Sequence, residues 1–140
     1  MSKIILLFLI TIIFVNSSAN AELSNYEKGK NFFTEKKYDL AKFKFEQDIV
    51  FNPKNENSYL YLAKIYNKKR NDSQEEKNLK TVILLNPKNE EAIFHLTLLK
   101  IRKSNYKETK KLIKDFKTVC KNLCIKTSEL QNKLDIVLKK

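Results

Sequence analysis

From Tyr26 onward, apolar residues recur every three or four positions, the spacing that lines one face of an α-helix. Tyr26, Gly29, Phe32 and Phe33 form the first such run, and Tyr38, Ala41, Phe45 and Ile49 the second. Tyr59, Leu62, Ala63 and Tyr66 follow, then Leu79, Val82, Ile83 and Leu85. Ile93, Leu96 and Leu99 make the fifth run, and Tyr106, Leu112, Ile113 and Phe116 the sixth. A last stripe carries Leu130, Leu134, Val137 and Leu138. Short polar stretches separate the runs: Lys36-Lys37, Arg70-Asn71-Asp72 and Ser104-Asn105 alternate with longer breaks. The pattern predicts seven helices in an all-α chain.

The longer breaks repeat. Asn52-Pro53-Lys54-Asn55-Glu56 returns 34 residues later as Asn86-Pro87-Lys88-Asn89-Glu90. Proline cannot continue a helix and biases the residue before it toward extended backbone. A fixed-period break of this kind marks a helical repeat. Helix starts are predicted at the capping boxes Ser24-x-x-Glu27, Ser73-x-x-Glu76 and Ser128-x-x-Gln131, with Asn57 or Ser58 capping the third helix. Around Cys120 to Lys126 the pattern breaks.

This arrangement resembles the tetratricopeptide repeat (TPR) family. The first unit, residues 22–55, matches the family pattern at Gly29, Phe32, Tyr38, Ala41, Phe45 and Pro53. The second, 56–89, matches at Tyr59, Leu62, Ala63, Tyr66, Leu79, Val82 and Pro87. The third, 90–123, matches at Ile93, Leu96, Tyr106, Ile113 and Phe116 and departs at Lys100, Thr109 and Lys121. Glu75 stands where the family has alanine, so a looser helix crossing is expected in the second unit. The resemblance implies a right-handed α-solenoid of three helix hairpins and a C-terminal capping helix over about 127–139. A hairpin of this kind cannot bury its apolar face alone, and about three are needed for stability.

Residues 1–21 are set apart from this pattern. Lys3 precedes an apolar run from Ile4 to Val15, broken only by Thr11, and Ala19-x-Ala21 suits a signal peptidase. The run is 12 residues, short of the ~20 that span a bilayer. The expectation is a signal peptide cleaved near Ala21, an exported (periplasmic or secreted) protein, and a TPR domain over 22–140. An uncleaved anchor is the alternative.

The chain has 28 Lys and Arg against 16 Asp and Glu, for a formal net charge of +12. Such a charge favours anionic partners. In an exported protein these are an acidic protein segment, anionic lipid or wall polymer, and nucleic acid is not expected. With one glycine in the chain, a glycine-rich phosphate loop is excluded.

In TPR proteins the first helix of each unit lines the concave face. The resemblance therefore implies a groove lined by Tyr26, Lys30 and Phe33 from unit one, Leu60, Lys64 and Lys68 from unit two, and Phe94, Leu98 and Arg102 from unit three. Its apolar spots and its basic line suit a peptide with acidic and apolar side chains. The plainer reading of the lysines is a solvated face. One sub-class of the family grips a peptide's terminal carboxylate. The corresponding positions here are Tyr26, Lys30, Tyr61, Glu91 and His95, and only Lys30 is a full cation, so that clamp is not expected.

Cys120 and Cys124 are the only cysteines. In an oxidising compartment they are expected to pair. Four residues apart on a regular helix they lie too far apart for easy bridging, so the intervening residues would have to leave helical geometry. The pair would then staple the last repeat to the cap. A redox pair is the alternative, with neither the CxxC spacing nor a flanking motif behind it. His95, the only histidine, reads as a packed or half-exposed side chain rather than a catalyst. Neighbouring carboxylates such as Glu75-Glu76 and Glu90-Glu91 point in different directions on a helix. No metal site, cofactor or catalytic constellation is expected. The sequence thus points to a non-catalytic interaction module in envelope assembly or scaffolding. The alternative is a basic surface protein held electrostatically on anionic lipid or wall polymer.

Overall fold

The computed structural model describes residues 23–139. The expected leader and its cleavage site lie outside the described residues. Seven α-helices follow one another: α1 (Asn25–Thr34), α2 (Tyr38–Phe51), α3 (Glu56–Lys68), α4 (Asp72–Leu85), α5 (Glu90–Arg102), α6 (Tyr106–Val119) and α7 (Lys126–Leu138). They form three antiparallel hairpins, α1–α2, α3–α4 and α5–α6, stacked into an α-solenoid that α7 extends.

Within each hairpin the turn has the same build. Lys36, Arg70 and Ser104, one repeat apart, take positive φ of 59°, 55° and 56°. In each case the next residue's N–H donates five residues back, from Lys37 to Phe32, Asn71 to Tyr66 and Asn105 to Lys100. These bonds satisfy carbonyls that the helix end leaves free.

Asparagines, more than serines, start the helices. Asn55 and Asn89 cap α3 and α5, and Asn71 and Asn105 cap α4 and α6, each accepting from a backbone N–H of the first turn. Ser24 caps α1 as expected. Three expected caps move. Ser58 is buried and donates to Asp48 at 2.6 Å. Ser73 lies inside α4, which opens one residue earlier after Asn71. The last helix begins at Lys126 with no side-chain cap.

The repeated pentapeptide works as a clasp between units. Buried Asp48 accepts from Asn52 Nδ2 at 3.2 Å and from Asn55 Nδ2 at 2.7 Å. One repeat on, Glu56 Oε1 accepts from Asn86 Nδ2 at 2.9 Å and Asn89 Nδ2 at 3.1 Å. At the third break Glu90 Oε2 accepts the backbone N–H groups of Asn122 at 3.0 Å and Leu123 at 2.7 Å. The backbone N–H groups of this turn, Leu123 first and Lys121 and Asn122 after it, hold the Glu90 carboxyl below its ordinary value against a desolvation that raises it.

Two apolar clusters fill the stack. Ala41, Phe45, Leu62 and Ile65 bind α2 to α3, with Tyr26, Phe33 and Tyr61 packed around them. Gly29 is where the first hairpin crosses closest: a Cβ there would lie 2.7 Å from Phe45 Cε1. The second cluster runs from Leu60 through Leu79, Ile93, Leu99 and Phe116 to Leu130 and Leu134 of α7. The last helix therefore covers the apolar end of the third hairpin.

The second hairpin packs as closely as its neighbours, contrary to the looser crossing expected at Glu75. The glutamate is only 1% exposed. Its carboxylate accepts from Asn67 Nδ2 at 2.9 Å and Arg102 Nη2 at 2.7 Å. Lys100, 4% exposed, lies between two carboxylates, Glu76 at 2.7 Å and Glu108 at 2.8 Å. Polar bonds thus replace small or aromatic packing at both departures.

Candidate functional site

The inner helices α1, α3, α5 and α7 lie side by side, and contacts cross from each to the next. Tyr26 of α1 meets Tyr61 of α3 edge-on at 6.1 Å, and Phe33 meets the same ring at 5.0 Å. Tyr61 also stacks on buried Phe45 at 4.9 Å. Lys30 and Lys64 sit over the Tyr26 and Tyr61 rings at 5.4 and 4.8 Å. Lys64 then reaches Glu91 of α5 at 2.7 Å, and Glu91 lies 3.6 Å from His95 on its own helix. Farther on, Lys126 of α7 lies 5.8 Å over the Phe94 ring.

Of the nine expected groove residues, the structure brings Tyr26, Lys30, Phe33, Lys64, Phe94 and Leu98 onto this inner face or its rim. Leu60 is a correction. It is 5% exposed and belongs to the core, because α3 turns it toward α4 and α5. The basic line is also largely neutralised from within. Lys30 pairs with Glu27 at 3.4 Å, and Lys64 pairs with Glu91. Arg102 is held by Asp72 and Glu75, both at 2.7 Å. Lys68 is exposed and makes no ion pair among the described residues.

Sequence reasoning passed over the contribution of α7. Between α5 and α7 lies an open depression of about 420 Å³ lined by Leu98, Ile101, Arg102, Lys133, Ile136 and Val137. Ile136 is 60% exposed. The signal was present: Ile136 is apolar yet off the stripe of Leu130, Leu134 and Val137, so burial of that stripe leaves it outside. A second depression, about 330 Å³, is lined by Glu91, Phe94, His95, Leu123 and Lys126.

Among the shifted carboxyls, Glu91 and Glu76 move most. Glu91 is pulled down to about 2, first by its bond with His95 and then by Lys64, against a desolvation that raises it. Glu76 is driven well below the carboxylate range by bonds from Lys100, Lys103 and Lys80. Both stay ionised at neutral pH. No cluster of His, Cys, Asp and Glu among the described residues is arranged to hold a metal ion.

Cys120 and Cys124 are joined, with Cα atoms 5.1 Å apart. Helix α6 ends at Val119, and Cys120 already has extended backbone (φ −61°, ψ 141°), which brings the two sulfurs together. The bridge and Glu90 hold the same turn.

No family model matches the chain, and no curated protein matches it. Solved structures do. The first TPR domain of Spaghetti (RPAP3), bound to the HSP90 peptide SRMEEVD, is 22% identical with a TM-score of 0.73, over 83% of this chain and 91% of that one. The yeast Sti1 TPR2B domain, in a complex with pHsp70, is 16% identical with a TM-score of 0.73, over 79% and 93%. The Arabidopsis OM64 TPR domain is 18% identical with a TM-score of 0.72, over 79% and 91%. The chain has the TPR fold.

Proposed function

We propose that this TPR domain is a non-catalytic interaction module that takes a peptide or protein segment along the inner face of α1, α3, α5 and α7. The observation that carries the reading is the depression of Leu98, Ile101, Ile136 and Val137 with Arg102 and Lys133 beside it. It is open apolar surface edged by the exposed cation Lys133, Arg102 being held by Asp72 and Glu75, on the face a solenoid turns inward and commonly uses for binding. An apolar side chain of the segment fills it, and the segment continues past Phe94 and Tyr61 toward Tyr26. Acidic residues are drawn by Lys68, which makes no ion pair among the described residues, and by Lys133, whose one ion-pair partner among them, Glu129, is 4.0 Å away. Peptide binding by the neighbouring structures supports the mode by analogy. The terminal carboxylate is not the feature read, because Glu91 lies among the clamp positions.

The test is selection from a library of displayed peptides by the native chain and by a Leu98→Asp/Ile136→Asp variant. The native chain should enrich segments combining apolar and acidic residues, and the variant should lose them. Equal enrichment by both removes the groove from the account.

We also propose that residues 22–140 are the mature domain, working outside the cytoplasm in envelope assembly or scaffolding. The apolar run from Ile4 to Val15, the Ala19-x-Ala21 that follows it and the joined cysteines support this. Mass analysis of the exported fraction should find a chain beginning at Glu22. A chain retaining Met1 would replace this with the anchor reading.

A further inference from the structure

The described helices leave one packing position of the repeat open. Helix α6 rests against α5 and beside α4, and there Lys100 of α5 is shared by Glu76 of α4 and Glu108 of α6. One repeat further along, the same position is the groove between α6 and α7, about 450 Å³ in volume. Its lining residues Lys110 and Leu134 are the 34-residue equivalents of Glu76 and Lys100. In a longer array the second helix of a fourth hairpin would lie there.

The charge at this seat is inverted relative to the interior. Inside the stack, outer helices present acids to the end of the next inner helix: Asp39 to Lys69, Asp72 to Arg102 and Glu76 to Lys103. On α6 the equivalents of Asp39 and Glu76 are Lys107 and Lys110. On α7 the equivalents of Arg102 and Lys103 are Ile136 and Val137. Lys107, Lys110, Lys114 and Lys117 therefore form an exposed stripe at i, i+3, i+7 and i+10, with no ion pair among the described residues. Three of them edge the groove. Its floor is apolar, from Ile113 and Leu134 to Leu138, which is 46% exposed. The one carboxylate present, Asp135, already accepts from Gln131.

We propose that the α6/α7 groove docks an acidic amphipathic helix of a partner protein. Its apolar stripe would cover Leu138 and the floor, and its carboxylates would meet Lys110, Lys114 and Lys117. The first turn of α6 gives the precedent, placing Glu108 on Lys100 in the equivalent seat. A flexible polyanion would satisfy the lysines but leave the apolar floor uncovered, and a second copy would add its own positive charge.

The probe is a stapled helical peptide of about four turns, with a leucine stripe flanked by glutamates. It is titrated against the full chain by fluorescence anisotropy and amide NMR. Perturbations should concentrate in residues 110–117 and 131–138. A Lys110→Glu/Lys114→Glu/Lys117→Glu variant should bind at least about tenfold more weakly, since each exposed pair contributes modestly. That variant should prefer a peptide with lysine in place of glutamate. The proposal is overturned if the triple variant keeps its affinity or if the perturbations fall on the inner faces of α1, α3 and α5. It is equally overturned if a non-helical peptide of the same composition binds as tightly, if anionic phosphatidylglycerol vesicles compete out the peptide through the same lysines, or if sedimentation shows a self-dimer filling the groove. None of the three substitutions touches the inner face, so failure here leaves the peptide-groove reading to its own test.

Discussion

Arg102 Nη2 lies 2.7 Å from Glu75 Oε2, and the carboxylate it meets is almost wholly buried. A cation that the repeat pattern assigns to the groove therefore stabilises the junction of the second and third hairpins. Removing one partner of such a pair leaves a buried charge uncompensated, which is worse than removing both. Arg102→Ala should destabilise the chain by about 3 kcal/mol. Adding Glu75→Ala should recover a large part of that loss. Urea denaturation of the four chains of the cycle measures it, and strict additivity of the two single changes would refute the coupling.

Gly29→Ala puts a methyl group against Phe45, which is fully buried and stacked on Tyr61. Overpacking of a tight core costs about 1–3 kcal/mol, and the better helix propensity of alanine offsets about 1 kcal/mol of it. A net loss is expected, relieved in a Gly29→Ala/Phe45→Leu double variant. If the single variant melts higher than the native chain, the close crossing is not a constraint.

Acid should act through Glu76 and Glu91. A carboxyl whose folded value lies below its unfolded one stabilises fully above the unfolded value, and that contribution fades as pH falls toward the folded one. For both residues the ordinary value is 4.5, and Glu91 is lowered to about 2. Stability should therefore decline from about pH 4.5 downward and continue to fall toward pH 2. Glu76→Gln should cost about 2 kcal/mol at neutral pH, since Lys100 keeps only Glu108. Its acid limb should be flatter, converging on the native curve at low pH. Curves that stay parallel across a pH series of denaturation profiles would show that the contribution is not ionic.

The last helix and the disulfide differ in weight. Deleting 127–140 removes Leu130 and Leu134 from the core, worth about 2–3 kcal/mol each, and uncovers the end of the third hairpin. The melting temperature should fall steeply. Cys120→Ser/Cys124→Ser should cost about 2 kcal/mol or less, because the closed loop is short and Glu90 holds the same turn. Calorimetry on both chains checks the order, and an unchanged melting temperature for the truncated chain would show that α7 is no cap.

The repeat itself was legible in the sequence because proline and helical periodicity act locally. Pro53 and Pro87 stop helices whatever surrounds them, and all seven helices lie where the apolar runs place them. The asparagine caps were legible too, since Asn71 and Asn105, like Asn55 and Asn89, are 34 residues apart, but the serine-x-x-Glu pattern drew attention instead. The groove was harder to read. Whether Leu60 faces the inner surface or the core depends on how α3 is rotated against α4 and α5. Whether Lys64 and Arg102 are free depends on Glu91, Asp72 and Glu75, which come close only after stacking. The part played by α7 follows from Ile136 staying exposed, a consequence of which neighbouring stripe is covered.

The two margins of the stack are fastened by different chemistry. Along one run the asparagine clasps on Asp48 and Glu56 and the backbone bonds to Glu90, all of them direct hydrogen bonds. Along the other run ion pairs between exposed or partly exposed groups, Asp39–Lys69, Asp72–Arg102 and Glu76–Lys103. Dissolved salt weakens the second set far more than the first. Raising ionic strength should thus loosen the ion-paired margin most between the first and second hairpins, where Asp39–Lys69 is exposed, and least between the second and third, where buried Glu75 also holds Arg102. Small-angle scattering would register this as a change in radius of gyration with helix content constant. The breadth of the inner face would then be set by the electrolyte around it as well as by the residues that line it.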